Sequence, residues 1–316
     1  MALSQKILDE MKAFRTSTAP LMFKCITNRN FFIDALEERC KEPININQSK
    51  ASLCGAAAFM YCIAREKPDE YAKYVLDLAN TGKASLGNLK IAPGSGPFAA
   101  DTQASPVDWV ALASLRDASN TLLGVKGDGS KAAGITDGGT LANWFKETGW
   151  FKDVRDYSSN GKKMPMNNLL EINGLPRSYV CLCIQKNIIT DPNYDDKGNL
   201  PDHWVVLGDC SRQNSTGTNG IDGSAIGVYV PNTQDPKEYP TPFTGGNFDA
   251  TFTPFLGDKN SAVNSMAFSD KNNKYRELEN KQLSLDIYTW GDRYQINTTV
   301  KNFLKSYFGF VSAQWQ

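Results

Sequence analysis

The chain has 316 residues, enough for one large domain or two small ones, and its 41% hydrophobic and 22% charged residues are ordinary for a soluble globular protein. Lys plus Arg and Asp plus Glu each number 34, so the formal net charge is zero. A neutral chain has no bulk electrostatic reason to bind nucleic acid or an anionic membrane, and we expect neither as a partner.

The N-terminal segment MALSQKILDEMKAF mixes charged and apolar residues at helical spacing. It lacks the uninterrupted apolar core of a secretory signal. Nor does the chain contain an apolar run of about 18 residues, the length that a membrane span needs. We therefore expect synthesis in the cytoplasm without a signal peptide.

Helical patterns fill the first half of the chain. They cover residues 4–14, 31–40, 54–66, 68–82, 105–120 and 138–150. Pro68 stands in the first turn of one helix and Gly82 follows its end, which is the usual placement of these two residues. A last pattern, VKNFLKSYFGFVSAQWQ over residues 300–316, predicts an amphipathic helix with an aromatic tail that packs onto the domain.

Strand patterns follow the helices. They are SYVCLCIQ, HWVVLGDC, SAIGVYVP and LSLDIYTWG, each short and rich in Val, Ile and aromatic residues. Helices first and an antiparallel sheet afterwards predict an α+β fold. We expect one catalytic domain over residues 1–316, with an N-terminal helical arm over 1–47 and a polar insertion over 211–280 between sheet strands.

The chain contains one histidine, His203. Its seven cysteines lack the spacing of zinc ligands, so we expect no metal and no cofactor. Any enzyme that pairs a nucleophile with a histidine base must therefore use His203. A structural histidine at the start of a strand is the alternative.

Cys54 is the best candidate nucleophile. It lies where a loop rich in Asn and Ser turns into the Ala-rich helix CGAAAFMYCIA. A helix N-terminus favours thiolate through its backbone N–H groups and dipole. We expect Gly55 to leave room for a substrate beside the sulfur, and Cys62, deeper in the same helix, to be inert.

These residues resemble the papain-like cysteine peptidases. In that family a Gln six residues before the nucleophile supplies one arm of the oxyanion hole, and Gln48 stands six residues before Cys54. The family's histidine begins a sheet strand well after the helical half, and His203 opens HWVVLGDC 149 residues after Cys54. The resemblance implies a papain-like fold, with the catalytic Cys at a helix start and the His on the antiparallel sheet.

The residue that orients the histidine is less well marked. The resemblance implies an Asn or Asp shortly before a Trp-Gly pair, but Tyr288 occupies that place in LSLDIYTWG. Asp286, on the same strand face as Tyr288, is our first candidate. Asp209 and Asn232 are the alternatives, and a Cys-His dyad oriented by backbone or water is a further one.

Such a site cleaves an amide or peptide bond through a thiolate and an acyl-enzyme. The same apparatus serves peptidases, peptidoglycan amidases or endopeptidases, and glutamine deamidases, so the substrate is a protein or peptidoglycan. In lacking a signal peptide and an evident pro-segment, the chain resembles bacterial effector toxins. These leave the cell through a specialised secretion system, with an immunity protein or chaperone as partner. A catalytically inactive binding protein of the same fold is the competing class.

Overall fold

The computed structural model of the chain describes residues 3–119, 125–127, 136–175, 178–194, 200–208, 220–221, 224–225 and 278–316. Helices come first and an antiparallel sheet follows, so the α+β prediction is confirmed. Contacts divide the chain into two compact units. We call Met1–Lys152, Thr289–Asp292 and Gln316 the helical unit, and Asp153–Tyr288 with Arg293–Trp315 the sheet unit.

The helical unit contains all six helices that the sequence predicts for its range. Its elements are α1 (Gln5–Thr16), α2 (Arg29–Lys41), a 3₁₀ turn (Pro43–Asn45), α3 (Cys54–Glu66), α4 (Pro68–Thr81), the hairpin β1 (Ala84–Leu86) and β2 (Leu89–Ile91), α5 (Ser95–Ala99), α6 (Pro106–Ala118) and α7 (Gly138–Thr148). The sequence patterns did not indicate the hairpin or α5, because both are too short to show a period.

Local chemistry explains where these helices begin and end. The Asn28 side chain accepts the N–H groups of Asn30 and Phe31 in the first turn of α2, and the Asp137 side chain accepts the Thr140 N–H in the first turn of α7. Pro68 opens α4, and Gly82, with φ of +72°, ends it in the left-handed conformation. These caps fix the boundaries of α2, α4 and α7, and each of these helices contacts α3, the helix that begins at Cys54.

The core of the helical unit is built around α3 and α6, which are buried along nearly their whole length. Phe59 of α3 packs against Phe145 of α7 with ring centroids 5.0 Å apart, and Phe145 packs against Phe151 at 4.9 Å. Edge-to-face aromatic contacts of this kind add to the free energy gained by burial. The helix that carries Cys54 is therefore packed against α7 in this core.

The sheet unit contains strands in the order β3-β10-β4-β5-β8-β6-β7, with β9 paired to β8. Its elements are β3 (Phe151–Asp156, which begins in the helical unit), α8 (Met166–Leu170), a 3₁₀ turn (Glu171–Gly174), β4 (Ser178–Ile184), a 3₁₀ turn (Lys186–Ile189), β5 (His203–Leu207), β6 (Gly220–Ile221), β7 (Ser224–Ala225), β8 (Gln282–Thr289), β9 (Asp292–Thr299), α9 (Val300–Leu304) and β10 (Tyr307–Trp315).

Strands β4 and β5 lie inside this sheet, and every residue of both is buried. They pair antiparallel, with Ile184 opposite His203 and Cys181 opposite Val206. Burial on both faces explains why their sequences read as continuous apolar runs without alternation. The predicted strand start at His203 is confirmed.

The predicted C-terminal helix over residues 300–316 is wrong. Only Val300–Leu304 form a helix, and Tyr307–Trp315 form β10, which lies between β3 and β4. The first seven residues of β10 are all buried, so the segment carries the apolar side chains of a central strand. A continuous apolar run does not distinguish a buried strand from a buried helix by period alone.

The predicted polar insertion over residues 211–280 falls largely outside the described residues. Within that range the structure describes the paired strands β6 and β7 and residues 278–280. Strand β6 also pairs with β8, where Ile221 lies opposite Leu283.

Candidate active site

Helix α3 begins at Cys54, as the sequence predicts. The preceding residue, Leu53, occupies the cap position and provides no side-chain hydrogen bond to the helix start. The first N–H groups of an α-helix have no partner inside the helix, so they and the helix dipole favour an anion at this end. The Cys54 side chain is buried, with 8% of its surface exposed. The helix start favours an anion at this position, while burial of the sulfur opposes its ionisation.

Gln48 lies in the loop that leads into α3 and is also only 8% exposed. Its backbone oxygen accepts the Ala51 N–H at 3.1 Å. Its side-chain Oε1 is buried, and among the described residues it has no hydrogen-bond partner. Buried polar atoms are nearly always hydrogen-bonded, so the Gln48 Oε1 is an exception that the fold of the loop alone does not account for.

The space above Gly55 is filled, which corrects our expectation that Gly55 leaves room for a substrate. A Cβ atom built on Gly55 would lie 2.5 Å from the Cβ of Thr136 and 2.7 Å from its Oγ1. Thr136 is buried and precedes Asp137, the cap of α7. The glycine therefore allows the start of α7 to approach the start of α3.

Replacing Gly55 with Ala should lower the free energy of unfolding by about 1–3 kcal/mol, because the added methyl group overpacks against Thr136. Urea denaturation followed by circular dichroism measures this. Gly139→Ala is the matched control, since Gly139 is likewise the second residue of a helix and its added Cβ would approach only an Asp137 oxygen, at 3.2 Å. Equal effects of the two substitutions would contradict the contact with Thr136, and Gly55→Ala/Thr136→Gly should recover part of the loss.

His203 is the first residue of β5 and is 3% exposed. Burial, and secondly the positive charge of Lys186, lower the pKa of His203 to about 3. The imidazole is therefore neutral at pH 7 and can accept a proton. Lys186 itself is held near this strand, because its N–H donates to Asp202 at 2.7 Å.

Asp286 of β8 lies on the opposite face of the sheet from His203. His203 and Leu207 share one face, Leu207 lies opposite Ile287, and Asp286 is the neighbour of Ile287. Asp286 is instead buried in an ion pair with Arg293 of β9, with 2.5 Å between carboxylate and guanidinium.

The distance along the strand gives the same result. The Gly208 N–H donates to the Asp286 carbonyl at 2.6 Å, and Gly208 is five residues beyond His203, about 17 Å along an extended strand. This register does not fit the prediction that Asp286 orients His203. The two alternatives, Asp209 and Asn232, lie outside the described residues.

One group of residues that the sequence did not indicate supports the Gln48 loop. The Asp108 carboxylate, fully buried at the start of α6, pairs with Arg39 of α2 at 2.9 Å and 3.3 Å. It also accepts the backbone N–H of Asn47. Burial raises the pKa of Asp108 to about 6, although Arg39 opposes this shift. An Arg and an Asp that are 69 residues apart show no local pattern, so no sequence signal could have paired them.

A cavity of about 480 Å³ in the helical unit lies elsewhere. It is lined by Gly94, Ser95, Gly96, Ala99, Ala100, Asp117 and Lys126, and neither Cys54 nor Gln48 lines it. The two carboxylate oxygens of Asp117 already accept the N–H groups of Gly94 and Val125, at 2.7 Å and 2.6 Å. The acidic group in the lining of this cavity, the Asp117 carboxylate, is therefore already hydrogen-bonded to the protein backbone.

Among the residues that the structure describes, no group of three or more His, Cys, Asp or Glu side chains is arranged to hold a metal ion. Over the same residues, no helix has both the length and the apolar character needed to cross a membrane. Comparison with protein-family models found no match, and comparisons with curated proteins and with solved structures found none either.

Proposed function

We propose that the protein is a cysteine hydrolase that cleaves an amide or peptide bond, with Cys54 as nucleophile, His203 as base and Gln48 as one arm of the oxyanion hole. The observation that carries the proposal is the start of α3 at Cys54, six residues after the buried side chain of Gln48. Helix-start thiols are acidic, and a preorganised amide stabilises the oxyanion of acyl transfer.

The proposed reaction has two halves. The Cys54 sulfur bonds to the substrate carbonyl carbon, and its proton passes to the His203 imidazole. The tetrahedral oxyanion accepts hydrogen bonds from the Gln48 Nε2 and the Cys54 N–H, and the amine leaves with the proton from His203. Water then attacks the thioester and gives a proton to His203. The bond between carbon and sulfur breaks, the acid is released, and His203 returns the proton to the Cys54 sulfur.

The low proton affinity of His203 sets a condition on this proposal. A base whose conjugate acid has a pKa of about 3 takes a proton from a thiol only if an anion stabilises the imidazolium. In the proposed reaction the Cys54 thiolate, which forms as its proton is transferred, is that anion. The pH dependence of Cys54 reactivity, with and without His203, is the direct test of the pairing.

Iodoacetamide at pH 6 should alkylate Cys54 at least about tenfold faster than Cys25, because the helix start stabilises the Cys54 thiolate. Cys25 is the sharpest internal comparison, since it is more exposed than Cys54 and burial raises its pKa to about 11. Mass spectrometry of peptides measures both rates. Cys210, outside the described residues, is replaced by Ser in every variant so that it adds no signal.

The remaining cysteines provide the baseline. Burial raises the pKa of Cys40 to about 12, and Cys62, Cys181 and Cys183 are 0%, 0% and 2% exposed. His203→Gln should remove the rapid labelling of Cys54 at pH 6 while the protein stays folded. If Cys54 reacts no faster than Cys25, or if His203→Gln leaves its rate unchanged, the Cys-His site is excluded.

One observation favours the competing function, a binding protein without catalysis. His203 stands in a strand that is buried on both faces, which is the environment of a structural histidine. The two functions differ in the labelling experiment, since a structural histidine does not affect the reactivity of Cys54. For an active protein, purified peptidoglycan and casein, each incubated with the unsubstituted protein and with Cys54→Ala, separate a wall hydrolase from a peptidase.

A further inference from the structure

The Asn47 side chain joins two residues whose backbones are in the left-handed region. Its Oδ1 accepts the Ser49 N–H at 2.7 Å, and its Nδ2 donates to the Trp290 carbonyl at 2.5 Å. Ser49 has φ of +54° and Trp290 has φ of +52°. Residues with a Cβ rarely adopt this conformation, and where they do, the surroundings must hold them there. One amide therefore stabilises two strained positions.

The backbone of Asn47 is anchored as well. Its N–H donates to the Asp108 carboxylate, which is fully buried and paired with Arg39. Asn47 is thus fixed at three points, through its backbone nitrogen and both polar atoms of its side chain. Asn47 therefore fixes the start of the loop that follows it relative to the helices that carry Asp108 and Arg39.

The turn that Asn47 contacts is shaped to receive it. Gly291 follows Trp290 with φ of +78°, and a Cβ added there would lie 2.8 Å from the Asn47 Nδ2. The close approach and the positive φ both require glycine at this position. The loop over residues 47–53 and the turn over 289–292 therefore fit each other closely within the helical unit.

We propose that Asn47 is a positioning residue that holds Gln48 in place as the oxyanion arm. This inference rests on the proposed function. Gln48 follows Asn47 directly, and its buried Oε1 has no hydrogen-bond partner among the described residues. The position of its head group therefore depends on the backbone of the loop, which Asn47 holds through its three hydrogen bonds.

Two reactions of Cys54 distinguish a misplaced oxyanion arm from a perturbed thiol. With p-nitrophenyl acetate, the sulfur bonds to the acetyl carbon and p-nitrophenolate leaves, so an oxyanion forms on the way. With iodoacetamide, the sulfur displaces iodide from carbon and no oxyanion forms. A loss of oxyanion stabilisation slows the first reaction and leaves the second unchanged.

We expect Asn47→Ala to slow p-nitrophenolate release at least about tenfold while changing the iodoacetamide rate by less than about twofold. Gln48→Ala should slow release about a hundredfold, in the range for an oxyanion donor. Since Asn47 acts through Gln48, the double variant should release p-nitrophenolate no more slowly than Gln48→Ala alone. If Asn47→Ala slows p-nitrophenolate release by the same factor in the unsubstituted protein and in Gln48→Ala, the positioning role is overturned.

Asn45→Ala is the matched control, because Asn45 lies two residues earlier and its Nδ2 bonds an exposed Glu38 at 2.7 Å. It should leave both rates unchanged. Asn47→Asp keeps the acceptor for Ser49 but loses the donor to Trp290, so it provides a second test of the role if Asn47→Ala does not fold. If neither Asn47→Ala nor Asn47→Asp slows p-nitrophenolate release, the positioning role is overturned and the proposed function is not. If the unsubstituted protein shows no p-nitrophenolate release that depends on Cys54, the proposed function is overturned, and the positioning role with it.

Discussion

Replacing Asp108 with Ala should lower the free energy of unfolding of the helical unit by about 3–5 kcal/mol, because it leaves the Arg39 guanidinium buried without its main counter-ion. The Asp108 side chain is 0% exposed and that of Arg39 is 11% exposed, so water replaces little of the lost interaction. The substitution also removes the acceptor of the Asn47 N–H. Urea denaturation followed by circular dichroism at 222 nm measures the loss.

A double substitution distinguishes the destabilisation caused by one unpaired charge from the contribution of the whole ion pair to the free energy of unfolding. Arg39→Met/Asp108→Leu replaces both ions by apolar side chains, and such replacements are often neutral or stabilising. It should therefore restore most of the stability lost in Asp108→Ala. If Asp108→Ala costs less than about 1 kcal/mol, the exposed Glu38, which lies 2.8 Å from Arg39, suffices as counter-ion and the pair does not anchor the unit.

His203 should make the sheet unit sensitive to acid. Its pKa is about 6.5 in the unfolded chain and about 3 in the folded protein, so the unfolded state binds the proton first as the pH falls. The stability contributed by the neutral histidine is fully present above pH 6.5 and is lost between pH 6.5 and pH 3. At pH 4 this loss amounts to about 3 kcal/mol.

His203→Gln removes this titration while keeping a polar side chain at the start of β5. Between pH 7 and pH 4, the unsubstituted protein should lose about 3 kcal/mol more of its unfolding free energy than the variant loses. Taking the difference cancels the carboxyl groups that titrate in both proteins. Hydrogen exchange of the β4 and β5 amides reports on the sheet itself. A difference that stays constant with pH would mean that His203 is not held neutral by burial.

The helical half could be predicted from the sequence because its boundaries are set locally. Pro68 and Gly82 mark the limits of α4, and both act through their own backbone geometry. The Cys54 helix start and the His203 strand start are local features too, and both predictions were confirmed. In these cases the deciding interactions lie within a few residues along the chain.

Other features depend on residues that are far apart, and there prediction failed. The side chain that fills the space above Gly55 is Thr136, 81 residues later, and nothing near Gly55 indicates it. The face that Asp286 occupies follows from a register set by two strand pairs, Val206 with Tyr288 and Leu207 with Ile287. A shift of one residue would have moved Asp286 to the other face.

The C-terminal strand shows a third cause of failure. Tyr307–Trp315 contains aromatic residues and Val, but also Gly309, Ser312 and Ala313, so neither period stands out. Gly309 has φ of +99°, and a Cβ there would lie 2.1 Å from the Tyr157 carbonyl. The strand is shifted in register close to this glycine, between Tyr307 and Phe310. Such an irregularity obscures alternation in the sequence.

The place of β10 between β3 and β4 also determines the order in which the chain can acquire structure. Helices α1–α7 lie within the first 148 residues and make many local contacts, so they can form early during synthesis. Strand β4 meets β10 only after more than a hundred further residues have been added, with Cys181 paired to Val311. Until then one edge of a strand made mostly of apolar residues has no partner, and unpaired apolar edges aggregate. We therefore expect the sheet to complete only after the β10 segment has been synthesised, and a chain that stops before Tyr307 to aggregate.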